Sequence, residues 1–151
     1  MYSATLPTPV GPLTVTSNGT AITRVTWDAP KGHDDRPELA EALSQLKAYF
    51  DGTRKEFDLP LAVEAPDFQV SVCDVMQSIP FGETLTYGEI AKRLGVPAQA
   101  VGQACGGNPI PVIIPCHRVL GATSLGGYSG EGGVETKVWL LRHEGAAGLL
   151  I

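Results

Sequence analysis

The residues best equipped for chemistry are two neighbours, Cys116 and His117, in the run Pro115-Cys116-His117-Arg118-Val119. A thiolate is the reactive form of cysteine, and a nearby base is the usual way to generate it. His117 is the candidate base, but adjacent side chains on an extended segment point to opposite faces. Direct contact therefore needs a turn, whereas a bridging water needs less. A third group must orient the imidazole, and Glu144, at the end of a predicted helix, is the leading candidate. An acid at a helix C-terminus opposes the dipole and so calls for a compensating partner. Against a reactive reading stands the commoner fate of a lone cysteine, an inert buried thiol. Arg118 is read as the partner of a carboxylate rather than of a phosphate.

The other residues of similar chemistry are expected to be quieter. Cys73 and Cys105 fall on apolar helical faces and are read as core, His143 as surface, and His33 as part of a polar loop. Three cysteines are an odd number, which favours free thiols over a disulfide framework. None of them forms a C-x-x-C pair and the histidines are scattered, so no metal and no cofactor are expected. The glycine-rich loop Gly126-Gly127-Tyr128-Ser129-Gly130 lacks the strand and GK[ST] context of a phosphate cradle.

These residues have to be held by a scaffold, and the sequence divides into two parts near Ala65-Pro66. In residues 1–65, stretches 12–17 and 21–27 alternate in strand fashion around Asn18-Gly19, a hairpin signal. Leu39, Leu43, Leu46 and Phe50 recur at helical spacing, and residues 55–63 read as a further strand. In residues 66–151, Phe68, Val72, Val75, Met76 and Ile79 make a helical stripe that Pro80 ends. Thr86-Tyr87-Gly88-Glu89 has the S/T-x-x-E form of a capping box, and Gly95 is placed to close the helix it opens. A second helix follows Pro97 and breaks at Gly106-Gly107-Asn108-Pro109. Two short helices around a glycine turn form a helix-turn-helix pattern, although a plain helical hairpin is the commoner outcome of such a pattern alone. Residues 111–114 read as a short buried strand, and residues 136–143 as a final helix.

Composition narrows the function. The apolar runs are too short to span a bilayer, and the N-terminus lacks a signal-peptide pattern, so a cytoplasmic location is expected. The net charge of -5 argues mildly against nucleic acid. Residues 1–65 carry 6 positive against 9 negative charges and residues 66–151 carry 5 against 7. Within 84–120, however, Lys92, Arg93 and Arg118 face Glu89 alone, a local +2. Any contact with DNA must be local and lean on helix N-termini as well as cations.

The segment Asn108-Pro109-Ile110-Pro111-Val112-Ile113-Ile114-Pro115-Cys116-His117-Arg118-Val119 closely resembles the active-site segment of the O6-alkylguanine-DNA alkyltransferases. The resemblance extends through Ile79-Pro80-Phe81-Gly82-Glu83, Thr86-Tyr87, Ala100-Val101-Gly102, Gly127-Tyr128-Ser129-Gly130 and Leu140-Leu141-Arg142-His143-Glu144-Gly145, and more loosely over residues 1–65. It implies an α/β N-terminal domain of ribonuclease H type and a mainly α C-terminal domain of helix-turn-helix, winged-helix-like type. It implies action on double-stranded DNA from the minor groove, on a guanine flipped into a pocket, since a protein nucleophile cannot reach a stacked base. A monomer is expected because one strand of damaged DNA needs only one copy.

By this resemblance Cys116 would take the alkyl group once and irreversibly, with His117 as base through water and Glu144 holding the imidazole. Tyr87 would donate to the leaving guanine, and Asn108 would brace the cysteine turn. Ser129, Tyr128 and the carbonyls of Cys116 and Val119 would surround the base. Thr86, Ala98, Gln99 and Gly102 would face the DNA. On residue grounds alone Tyr87 is a packed aromatic and Ser129 an ordinary loop residue. Gln99 departs from the family, which usually has an arginine there to fill the space left by the flipped base; glutamine lacks its charge and stacking plane. The competing readings are a lesion-binding protein without transfer, resembling the alkyltransferase-like proteins; a cysteine hydrolase built on Cys116, His117 and Glu144; and a transcriptional regulator.

Overall fold

In a computed structural model, residues 1–27, 32–128 and 132–146 are described. The chain forms two compact units, Met1–Glu64 with Pro109–Ile113, and Ala65–Asn108 with Ile114–Ile151. Residues 109–113, assigned by the sequence to the second part, thus group with the first.

The first unit is a three-stranded antiparallel sheet in the order β1 (Tyr2–Leu6), β2 (Leu13–Ser17), β3 (Ile22–Thr26), covered by α1 (Pro37–Phe50). Alternation sends Ala4, Leu13, Val15 and Val25, with Ile22 beyond an irregularity in the β2–β3 register, into a core closed by Leu39, Ala42, Leu46 and Tyr49. The β2–β3 turn is held by Asn18, whose Oδ1 accepts from the backbone N–H groups of Thr20 and Ala21 at 3.0 Å each. β1, in which only Ala4 is buried, is an additional strand beyond those expected from the sequence.

The expected strand over 55–63 does not form. Only Leu61 bridges, in parallel, to Ile22. The backbone of Asp58 is instead claimed by Gln45 of α1: its Oε1 accepts from Asp58 N at 2.9 Å and its Nε2 donates to Asp58 O at 3.0 Å. Pro60 has no N–H to give to a ladder. The short strand expected at 111–114 is also absent. A turn runs there, with Val112 at φ 71° and residues 110–114 buried. Its entry is pinned where Val25 N donates to Pro109 O at 3.0 Å.

The second unit is mainly helical: α2 (Asp67–Gln77), α3 (Tyr87–Leu94), α4 (Ala98–Gly106) and α5 (Val134–Glu144). Thr86 caps α3 with both bonds of the capping box, and Gly95 at φ 68° supplies the left-handed residue that ends it. The turn to Pro97 then starts α4, giving the helix-turn-helix. Val72, Cys73, Met76, Ile90, Val101, Leu140 and Leu141 are fully buried. A two-residue parallel pair, β4 (Leu85–Thr86) with β5 (Val119–Leu120), ties the start of α3 to the end of the turn carrying Cys116. Among the described residues no helix is long and apolar enough to cross a membrane.

Candidate active site

Cys116 opens a 3-10 turn, Cys116–Arg118, rather than lying on an extended segment. The turn is closed by Arg118 N donating to Pro115 O at 3.0 Å and by Val119 N donating to Cys116 O. Asn108, at the break after α4, donates from Nδ2 to Ile114 O at 2.8 Å and also hydrogen-bonds the Cys116 thiol. It therefore braces the turn from inside, as a buried amide must be satisfied on several sides.

Behind the thiol lies a buried ionic cluster. His117 Nε2 and Glu144 Oε2 are 2.7 Å apart, both side chains wholly buried. Arg118 donates from Nε to Glu144 Oε1 at 2.8 Å, from Nη2 to Oε2 at 3.0 Å and from Nη1 to Ile79 O at 2.7 Å. Burial alone would raise the Glu144 carboxyl, but the hydrogen bonds from His117 and Arg118 hold it at about 2. Ionised, it only accepts, so His117 carries its proton on Nε2. Burial lowers the His117 pKa against the pull of Glu144, leaving a neutral ring. Its other nitrogen, Nδ1, is buried without a hydrogen-bond partner among the described residues. A neutral imidazole, oriented by a carboxylate and with one bare acceptor nitrogen, can take up a proton at that nitrogen.

The Cys116 thiol holds its own proton at rest. Burial pushes Cys116 up to about 11, the hydrogen bond from Asn108 and the charge of Lys137 only partly countering it. It rests as a thiol, 5% exposed, on the wall of a cavity of about 470 Å³. Tyr87, Tyr128, Gly102, Cys105, Gly106 and Gly127 complete the lining. Burial raises both Tyr87 and Tyr128, so each remains a phenol with a proton to donate. Tyr87 is the first residue of α3, and Gly126 leaves room for it: a Cβ there, at φ +74°, would meet the Tyr87 hydroxyl at 2.6 Å.

The sequence missed Lys137, which is fully buried. Its Nζ donates to Val119 O at 2.6 Å and to Gly127 O at 3.0 Å, and lies 5.8 Å from the Tyr87 ring centre. It thereby ties the cysteine turn to the loop on the other side of the cavity. The clue was its spacing, since Lys137, Leu140, Leu141 and Glu144 share one face of α5 and all four are buried. Cys105 is buried as expected but also reaches the cavity, its thiol donating to Met76 Sδ at 3.7 Å. His143 is half-buried rather than on the surface, stacked on Trp139 at 5.0 Å between ring centres.

Among the expected DNA-facing positions, Ala98 and Gln99 are exposed on the first turn of α4, and Gly102 is half-buried at the cavity. The Thr86 hydroxyl is engaged in capping. Ser129 lies outside the described residues. Among the described residues no three histidine, cysteine or acidic side chains are grouped as metal ligands.

Comparison with known proteins agrees along almost the whole chain. Residues 67–146 match the family described as 6-O-methylguanine DNA methyltransferase, DNA binding domain, and residues 1–63 match its ribonuclease-like domain. The methylated-DNA–protein-cysteine methyltransferase of Methanosarcina acetivorans is 41% identical, over 97% of this chain and 99% of its own length. The crystal structure of Mycobacterium tuberculosis O6-methylguanine methyltransferase superposes with a TM-score of 0.84 at 40% identity, covering 95% of this chain and 92% of that one. A structure of the Mycobacterium tuberculosis OGT in complex with DNA gives 0.86 at 41% identity, covering 96% and 93%. With both family domains matched in order and a solved relative sharing the fold, the chain belongs to the 6-O-methylguanine DNA methyltransferase family.

Proposed function

We propose that this protein repairs DNA directly, moving the alkyl group of O6-alkylguanine onto Cys116 in one irreversible event per molecule. The observation that carries the reading is the placement of the Cys116 thiol on a cavity wall with a neutral, carboxylate-held imidazole behind it. In the reaction Cys116 Sγ bonds to the alkyl carbon as the carbon–O6 bond breaks and its electron pair stays on guanine. His117 Nδ1 takes the thiol proton through a water, and Glu144 stabilises the imidazolium that results. Tyr87 donates to the leaving guanine. The product is a thioether, which no base at neutral pH reverses.

The guanine reaches the cavity by flipping out of the duplex from the minor-groove side. Tyr128, Ser129 and the carbonyls of Cys116 and Val119 surround it. Each of those two carbonyls already accepts one hydrogen bond and has a second lone pair for the exocyclic amine. Thr86, Ala98, Gln99 and Gly102 face the DNA, with Gln99 beside the space the base leaves. The protein acts as a monomer, its domains 1–65 and 66–151 working on double-stranded DNA. A reducing compartment, the cytoplasm, keeps its three thiols free.

The test is intact-protein mass spectrometry after mixing with excess duplex DNA containing O6-methylguanine, followed by peptide mapping. One methyl mass on the Cys116 peptide, saturating at one per protein and absent from Cys116→Ala, is expected. Selective, tight lesion binding with no mass gain would make this a damage-recognition protein instead.

A further inference from the structure

The helix that leads into Asn108 ends without a cap of its own, and a side chain from another helix supplies one. α3 and α5 finish on left-handed glycines, Gly95 and Gly145. α4 finishes instead on Gly107 at φ -94° and ψ 6°, with no basic residue in its last turn. The last carbonyls of a helix lack intrahelical partners, and a left-handed cap or a cation is their usual remedy. Gln69, in the first turn of α2, takes that place: its Nε2 donates to Ala104 O at 2.5 Å. The same carbonyl accepts from Gly107 N at 3.1 Å, so Gln69 fills its second lone pair. Gln69 Nε2 also lies 3.9 Å from Cys73 Sγ, one turn along α2, and is thereby held from both helices. Gly107 is fitted against the amide, since a Cβ there would come within 3.3 Å of Gln69 Oε1. The chain then reaches Asn108, whose N–H donates to Cys105 O at 3.3 Å and whose side chain bonds Ile114 O and the Cys116 thiol. The end of α4 therefore fixes where the brace of the cysteine turn begins.

We infer that Gln69 is a positioning residue for the transfer step: by capping α4 from α2 it sets the place of Asn108 and, through Asn108, of Cys116. The inference rests on the alkyl-transfer reading and adds a residue to it. Gln69 does not line the cavity beside Cys116, so it acts through the groups it holds. It also stands at the far end of α4 from Ala98 and Gln99, which places its effect on the thiol rather than on the DNA-facing turn. The demand is one of geometry, because a misplacement of about 1 Å at a reacting group can cost roughly a hundredfold in rate.

The experiment follows single-turnover methyl transfer from a duplex containing O6-methylguanine over a range of protein concentrations. This separates the limiting rate from the concentration that half-saturates it. Gln69→Met keeps the length of the side chain and loses the donor. Its limiting rate should fall roughly three- to tenfold, the range for one net hydrogen bond, with the half-saturating concentration unchanged within about twofold. In an Asn108→Ala background the same substitution should change the rate by less than about twofold, because the group it acts through is already gone. Equal fold-changes in the two backgrounds would overturn the inference, since independent sites behave that way. A loss confined to the half-saturating concentration would overturn it too, and would make Gln69 a support for DNA binding alone. An unchanged limiting rate in a folded Gln69→Met protein removes the inference and leaves the repair reading standing. A thermal melt checks the fold, and if Gln69→Met does not fold, Gln69→Asn, one methylene too short for Ala104 O, carries the same expectations. No methyl transfer by the wild-type protein would remove the repair reading, and this inference with it.

Discussion

Replacing Glu144 by glutamine separates its two jobs, because the shape is kept and only the charge is lost. The carboxylate is wholly buried and holds His117 Nε2 on one oxygen and Arg118 on both. A carboxyl held at about 2 against an ordinary 4.5 corresponds to about 3 kcal/mol of folding stability. Breaking a buried ion pair from one side costs a similar ~3–5 kcal/mol, since Arg118 would keep its charge with no counter-charge, only the remaining amide oxygen, Ile79 O and the Phe81 ring beside it. The low folded-state pKa fixes the sign: the contribution is complete above about pH 4.5 and disappears as pH falls towards 2. Urea denaturation at pH 7 should therefore place Glu144→Gln about 3 kcal/mol below the wild type, with the gap closing in acid. Without the carboxylate the imidazolium loses its counter-charge, and single-turnover methyl transfer should slow by roughly 10²–10⁴-fold. A folded Glu144→Gln protein that transfers at the wild-type rate would refute the role given to the His117–Glu144 pair. A stability gap that persists unchanged at low pH would refute the electrostatic account.

The remaining predictions concern what surrounds that pair. Gly126→Ala places a Cβ against the Tyr87 hydroxyl at a positive φ; it should destabilise by about 1 kcal/mol or more and slow transfer, and a wild-type rate would mean that Tyr87 has no part in the reaction. Lys137→Met strips a hydrogen-bond donor from the Val119 and Gly127 carbonyls; a loss of about 1–3 kcal/mol in urea is expected, and unchanged stability would show that water satisfies both groups. Gln99→Arg restores charge and a stacking plane at an exposed position on the first turn of α4. It should speed repair of duplex DNA more than of single strands, and an equal effect on both would remove Gln99 from the flipping step.

What the sequence determined by itself was local. Thr86 and Glu89 cap α3 because their spacing lets each side chain reach the other's backbone, and Gly95 ends the helix because it tolerates a left-handed turn. The pairing of nucleophile and base was legible for the same reason, since Cys116 and His117 are neighbours in the chain. Reading Glu144 as the orienting acid was an inference from resemblance and helix-end electrostatics, and the contact itself spans 27 residues. Tertiary structure alone decided the rest. Residues 55–63 have strand-like alternation, yet a single glutamine side chain on α1 claims the backbone groups that a ladder would need. Val112 sits at a positive φ in a buried turn that an apolar run cannot announce. Lys137 is buried because two carbonyls converge on its amine from segments 10 and 18 residues away. Hydrogen bonds between groups distant in the chain have no period to read, so periodicity found the helices while only the folded chain showed which polar groups they enclose.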